Sequence, residues 1–245
     1  TSRTTRSAPA ASVLRVARTS TVDLIAAELR TAIFTGALPV GSPIGEVEMS
    51  TQLGVSRSPL REATQRLVQE GLLTATPGRG LRVSVIGPEH VADVYDARLA
   101  VESQAVRMIV SRGSADAMAA LEAAFRTLQE VSEGVDARAI GDADLAFHRL
   151  LVDSAHSHRL THYMKTLAIE TRIASFSDPH GYTVRRSVSG TYRELLDALR
   201  DGDAEAAVTA LRTQFAGAVE RLTGQNENVE TIETPVLEEP LALSP

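Results

Sequence analysis

Apolar positions recur with a helical period along most of this chain. Val22, Ile25, Ala26, Leu29 and Ile33 fall on one helical face. Thr19, Ser20 and Thr21 offer N-cap hydroxyls ahead of it, and Gly36 is a good stop. The segment "ALPVGSPIG" reads as a turn-rich connection, and a short helix follows over 46–53. After Gly54, the stretch "GVSRSPLREATQRL" starts another helix. Ser56 or Ser58 caps it, Pro59 suits its first turn, and Leu60, Ala63, Thr64, Leu67 and Val68 form its buried stripe up to Gly71. The period then changes. In "LLTATPGRGLRVSV", residues 72–85, two β-prone runs flank Pro77-Gly78-Arg79-Gly80, which predicts a hairpin with a tight tip.

From Pro88 onward the helical period returns and no strand is expected. Helices are predicted near 88–112, 114–133, 137–156, 158–176, 185–201 and 203–222, with Pro88, Ser114 and Asp203 at starts and Gly113, Gly134 and Gly202 at ends. The expected architecture is mostly α. A winged helix-turn-helix of three helices plus a β-hairpin spans 19–86, and an all-α bundle of six or seven helices spans 87–223. Residues 1–18, rich in Ser, Thr, Ala and Arg without periodicity, are expected as a disordered basic tail. Residues 224–245 carry five acids, no base and three prolines, and are expected as a solvated acidic tail outside the fold.

Composition narrows the function class. No apolar run approaches the ~20 residues of a membrane span, and no signal peptide is expected. Cysteine is absent, which removes disulfides and thiolate metal sites and is compatible with the cytoplasm. The net charge of −6 is unevenly spread. Residues 1–85 hold ten Arg against six acids, while the rest holds fifteen basic residues against twenty-five acids. A basic head on an acidic protein points to a local anionic partner.

The start of the third helix carries that chemistry. Arg57, Arg61 and Gln65, at i, i+4 and i+8, face away from the buried stripe, beside Ser56 and Ser58. An isolated pair of arginines so spaced is ordinarily a solvated surface, partly neutralised here by Glu62 and Glu70. This pair instead follows a glycine turn, opens a helix and precedes a Gly-rich hairpin. The second helix of a helix-turn-helix places its N-terminal residues at base edges in the major groove, where an Arg fork matches the O6 and N7 of guanine. Arg79, between two glycines, sits where a backbone approaches DNA closely. "GVSRSPLREATQRLVQEGLLTATPGRGLRV" and the preceding "LRTAIFTGALPVGSPIGEVEMSTQLG" resemble the winged-helix domain of the GntR family of bacterial transcription regulators. The resemblance implies a DNA-binding repressor or activator, dimeric, on a two-fold symmetric operator. It implies recognition-helix contacts at Ser56, Arg57, Ser58, Pro59 and Arg61, and wing contacts at Gly78 and Arg79. Val47 stands where many members carry a basic residue, so no base contact is assigned there.

In the bundle, Asp144 and His148 share a helical face at i, i+4. Such a pair serves a divalent metal or simply joins to itself, and spacing does not separate the two. "YDARLAVESQAVRMIV", "DADLAFHRLLVDSAHSHRL" and "YRELLDALRDGDAEAAVTALRTQF" resemble the FadR-type ligand-binding (FCD) domain. That resemblance implies a ligand set for Zn²⁺ or a similar ion. Asp144 and His148 match two of its positions, but Tyr192 and Gln214 occupy the other two, and neither is a usual Zn²⁺ ligand. The set is incomplete, and the four residues equally describe a metal-free polar pocket. Arg98 matches an arginine that faces the effector in related domains, where its fork suits a carboxylate. The bland alternative is an i, i+4 salt bridge to Glu102. His156, His158 and His162 fall at a helix-to-helix turn and are read as surface residues.

The expectation is a cytoplasmic, ligand-responsive repressor. It binds a palindromic double-stranded operator as a homodimer and senses a small, carboxylate-bearing effector through Arg98, Asp144, His148, Tyr192 and Gln214. The alternative is a regulator whose C-terminal domain has lost metal and small-molecule sensing and acts through protein contacts. An enzyme is not expected, because nothing supplies a nucleophile, a phosphate loop or a complete metal set.

Overall fold

A computed structural model describes residues 20–177, 182–185, 189–224 and 231–234. The expected basic tail at 1–18 lies outside them. Helix α1 (Thr21–Thr35) starts on a capping box in which the Ser20 side chain accepts from the Asp23 N–H and Asp23 returns the bond, and it stops at Gly36 with φ +79°. Helices α2 (Glu46–Gln52) and α3 (Arg57–Gln69) follow. Between them Gly54 turns the chain at φ +62°. Ser56 is the N-cap of α3, although no hydroxyl closes that cap. Strands β2 (Leu73–Thr76) and β3 (Gly80–Val83) form the hairpin, with Thr76 opposite Gly80. The Arg79 N–H donates to the Thr76 carbonyl, with Pro77 and Gly78 (φ +75°) in the middle positions, as a type II turn requires.

Part of the expected turn-rich connection is a strand. β1 (Pro43–Ile44) pairs antiparallel with β3 through Pro43–Arg82 and Ile44–Leu81, giving the order β1-β3-β2. Two residues are too short for an alternating pattern to register in sequence.

Among the described residues six helices build the bundle: α4 (Pro88–Arg112), α5 (Ala115–Ser132), α6 (Ala137–Ser154), α7 (His158–Phe176), α8 (Ser189–Asp201) and α9 (Ala204–Leu222). Ser114, Asp136, Ser157 and Asp203 cap four of them through side-chain acceptors. Two expectations are corrected here. The helix expected from 185 starts at Ser189, and β4 (Tyr182–Arg185) precedes it. The region after Pro88 therefore holds strand. The expected acidic tail contributes β5 (Thr231–Thr234), antiparallel to β4 with Tyr182 opposite Thr234, so it is not wholly outside the fold. The pairing joins segments almost fifty residues apart, and no local period announces it.

Two buried clusters organise the chain. Ile25, Leu29, Ile33, Leu60, Leu67, Leu72 and Val83 fill the head. Val106, Leu121, Leu128, Phe147, Leu151, Leu195, Leu211 and Phe215 belong to the bundle core. The two meet at α7. Ile173 is buried in the head cluster although it lies on a bundle helix, and Arg172 stacks over Phe34 of α1 and Phe176.

Candidate functional site

Helix α3 buries Leu60, Ala63 and Leu67 completely, and that anchor presents Arg57, Ser58, Arg61, Glu62 and Gln65 together on one exposed surface. Arg61 reaches back fifteen residues to the first residue of α2. Its Nε donates to Glu46 Oε1 at 3.1 Å and its Nη2 to Oε2 at 2.7 Å. This bond holds the Glu46 carboxyl below its ordinary value, and the charges of Arg61 and Arg57 add to the effect. A guanidinium carries five N–H donors. The fork to Glu46 uses two, and the outer edge keeps its donors while the side chain is aimed. Arg57 lies within the field of the same carboxylate. Arg66 belongs to a different network. It bonds Asp23 at 2.6 Å and Glu70 at 3.2 Å, and Arg30 joins Glu70 at 2.7 Å, which ties α3 to α1. Pro59 is half-buried under the first turn of α3. At the wing, Gly78 and Gly80 both have positive φ and face open space, with exposed Arg79 between them. Val47 is 61% exposed.

The second cluster is inside the bundle. Arg98 (α4), Asp144 and His148 (α6), Tyr192 (α8) and Gln214 (α9) all line one cavity of about 60 Å³, with Tyr95, Phe215 and Arg221. Asp144 and His148 do not pair with each other. His148 Nδ1 lies 2.6 Å from Glu102 Oε2, and its Nε2 lies 3.0 Å from the Tyr192 hydroxyl. The Tyr192 hydroxyl donates to Asp144 Oδ1. The phenol oxygen then accepts from His148 Nε2–H. Burial, with the charge and hydrogen bond of Asp144, pushes the Tyr192 phenol well above its ordinary value and keeps it a neutral donor.

Arg98 is 1% exposed and bonds Glu102, itself fully buried, through Nε at 3.0 Å. The i, i+4 salt bridge is therefore present, and the arginine also lines the cavity. Burial opposes its charge, but Glu102, Tyr95 and Asp144 outweigh burial and hold its pKa above the ordinary value. Its guanidinium lies over the rings of Phe215 at 4.5 Å and Tyr95 at 5.1 Å. Arg98 Nη2, both polar atoms of the Gln214 amide and Arg221 Nε are buried without a hydrogen-bond partner among the described residues. An unsatisfied buried group costs about 1–3 kcal/mol, so four of them around one cavity favour a polar guest. The volume is small. A cavity needs ~10–15 Å³ on the same measure to admit one water, and drug-sized ligands need ~300–1,000 Å³.

A Zn²⁺ ion does not fit this donor set. Both His148 ring nitrogens are engaged by protein, Asp144 accepts from the Tyr192 hydroxyl, and Gln214 offers an amide. Among the described residues no three of His, Cys, Asp and Glu gather as a metal site requires. His156, His158 and His162 are exposed, the first at φ +48° in the α6–α7 turn. Tyr95, Phe215 and Arg221 line the cavity beyond the expected residues, and Glu102, expected only as the salt-bridge partner of Arg98, also holds His148. Glu102 and Arg221 had a readable signal, four residues after Arg98 and seven after Gln214. The aromatic pair had none, since their rings meet only when α4 packs on α9.

The pattern described as "Bacterial regulatory proteins, gntR family" matches residues 21–83, and that of the "FCD domain" matches residues 93–216. The chain is 30% identical over 220 residues, 88% of its length and 95% of the relative's, to a probable D-xylose utilization operon transcriptional repressor of Paenarthrobacter nicotinovorans. It is 27% identical to the HTH-type transcriptional repressor RspR of Escherichia coli, covering 82% of this chain and 89% of that one. Its fold is similar to the crystal structure of a putative GntR transcriptional regulator from Rhodococcus sp. RHA1, with TM-score 0.69, 27% identity and coverage of 84% and 98%. Among the described residues no helix is long and apolar enough to cross a membrane.

Proposed function

Because the chain belongs to the GntR family of bacterial regulatory proteins, with an FCD domain behind its DNA-binding head, we propose that it acts as a ligand-responsive repressor on a two-fold symmetric operator. It is a DNA-binding transcription regulator and not an enzyme. The finer reading is a cytoplasmic homodimer that reads a palindrome through the exposed start of α3 and the wing. The observation that supports this best is the surface of Arg57, Ser58, Arg61 and Gln65, anchored from beneath and aimed by Glu46. A mobility-shift assay with the DNA upstream of its own gene tests it. Arg57→Ala and Arg61→Ala should each lose about 1–3 kcal/mol of discrimination against unrelated DNA. If both variants bind like wild type, the reading of α3 fails.

For the effector, we infer a small carboxylate held without metal. Its oxygens face Arg98 Nη2 and the Gln214 amide, two of the unpartnered groups of the cavity. The cavity size supports only a compact acid or the head group of a larger one. The same size favours the second reading, a bundle that acts through protein contacts. Thermal-shift screening with short mono- and dicarboxylates separates the two. Stabilisation that Arg98→Met or Gln214→Ala removes supports sensing, and no response to any acid supports the alternative. Neither result bears on the DNA assay.

A further inference from the structure

Beside the seam where head meets bundle lies a groove of about 540 Å³, within the range of organic ligand sites and at a domain boundary, where such sites concentrate. Helix α1 and the last turn of α3 form one side, and α6 and α7 form the other. Its apolar lining is Phe34, Leu145, Ala168 and Ile169. Four cations and two acids also line it. Arg30 is engaged by Glu70 and Arg172 by Asp142. Arg149 and Lys165, both exposed, have no hydrogen bond or ion pair among the described residues.

The two features call for one kind of guest. A neutral apolar molecule would leave Arg149 and Lys165 unanswered beside it. A small hydrophilic anion would leave the apolar lining wet. We propose that the groove is a second binding site, distinct from the bundle cavity, for an organic anion with a flat apolar body. The ring lies against Phe34 and Ile169, and the acid group meets Arg149 and Lys165. Such a guest touches the head and the bundle at once. It therefore fixes how the end of α3 is placed across the groove from α7, while the opposite end of α3 carries Arg57 and Arg61.

Calorimetric titration of the full chain with naphthoate, without DNA, tests the site. Naphthalenemethanol supplies the neutral body, and acetate, titrated as a competitor of bound naphthoate, the bare charge. Saturable one-to-one binding of naphthoate is expected, with both controls at least about tenfold weaker. The double variant Arg149→Glu/Lys165→Glu should weaken it at least about tenfold, since two attractive charges become repulsive. Ala146→Phe, at an exposed lining position, should block the groove without altering charge. Gln214→Ala, in the bundle cavity, should leave naphthoate binding unchanged. Circular dichroism checks that every variant is folded. The proposal is overturned by absence of saturable naphthoate binding, by binding that survives both groove variants, or by equal binding of the alcohol. Loss in Gln214→Ala alone also overturns it, by moving the guest to the bundle cavity.

Discussion

Replacing Glu102 by alanine tests the buried network at its centre. The carboxylate is fully buried, accepts from Arg98 Nε at 3.0 Å and lies 2.6 Å from His148 Nδ1. Its removal leaves the Arg98 guanidinium, 1% exposed, without its nearest counter-charge. Breaking a buried pair from one side costs about 3–5 kcal/mol, because the remaining charge cannot be rehydrated. Against a typical total of ~5–15 kcal/mol, that is a large fraction. At about 2–4 °C per kcal/mol for a chain of this size, the melting temperature should fall by roughly 6–20 °C. Urea unfolding followed by far-UV circular dichroism measures the loss, provided the slope with denaturant is unchanged. Arg98→Met/Glu102→Leu, which removes both charges, should recover most of it. The exposed pair Arg107–Glu205 is the control, where Arg107→Ala should cost no more than about 1 kcal/mol. If Glu102→Ala costs less than about 1 kcal/mol, the pair is solvated and the reasoning about the cavity is wrong.

Three other outcomes follow from the same geometry. Glu46→Gln should lower the ratio of operator to unrelated-DNA affinity, because Arg61 loses its aim while a repelling charge leaves the DNA face; stability should change by less than about 1 kcal/mol, the pair being exposed. The Tyr192 phenol is raised above its ordinary 10.0. Folded and unfolded chains therefore both hold this proton below about pH 10, and only the unfolded chain releases it just above. The contribution is whole below pH 10 and lost as pH rises toward the folded value, so stability should fall more steeply with alkaline pH in wild type than in Tyr192→Phe. A chelator, and separately added Zn²⁺, should each leave the melting temperature within error, since His148 and Asp144 are already bonded to Glu102 and Tyr192. A rise of several degrees with zinc would mean that these bonds yield to a metal.

The exposed surface at the start of α3 was legible in the sequence almost residue by residue. Leu60, Ala63 and Leu67 set the buried side of α3, and helical geometry alone then assigns Arg57, Arg61 and Gln65 to the other. The wing tip was legible for a similar reason, because Pro77-Gly78 has few turn types open to it. The gathering of Arg98, Asp144, His148, Tyr192 and Gln214 was reached through resemblance, not periodicity. Nothing local relates a position on α4 to one on α9.

Local regularity therefore determined the elements of the head, and the resemblance of its motif supplied the class of protein. Helix periods, caps and the tight turn depend on neighbours within a few residues, and those were readable in the chain itself. Tertiary packing decided who bonds to whom. Asp144 and His148 share a face yet take their partners from α8 and α4, and Arg61 takes its carboxylate from α2. The strands β1, β4 and β5 exist only through partners well separated along the chain. Each of those outcomes is a competition among donors and acceptors that burial brings together, and sequence spacing does not rank them.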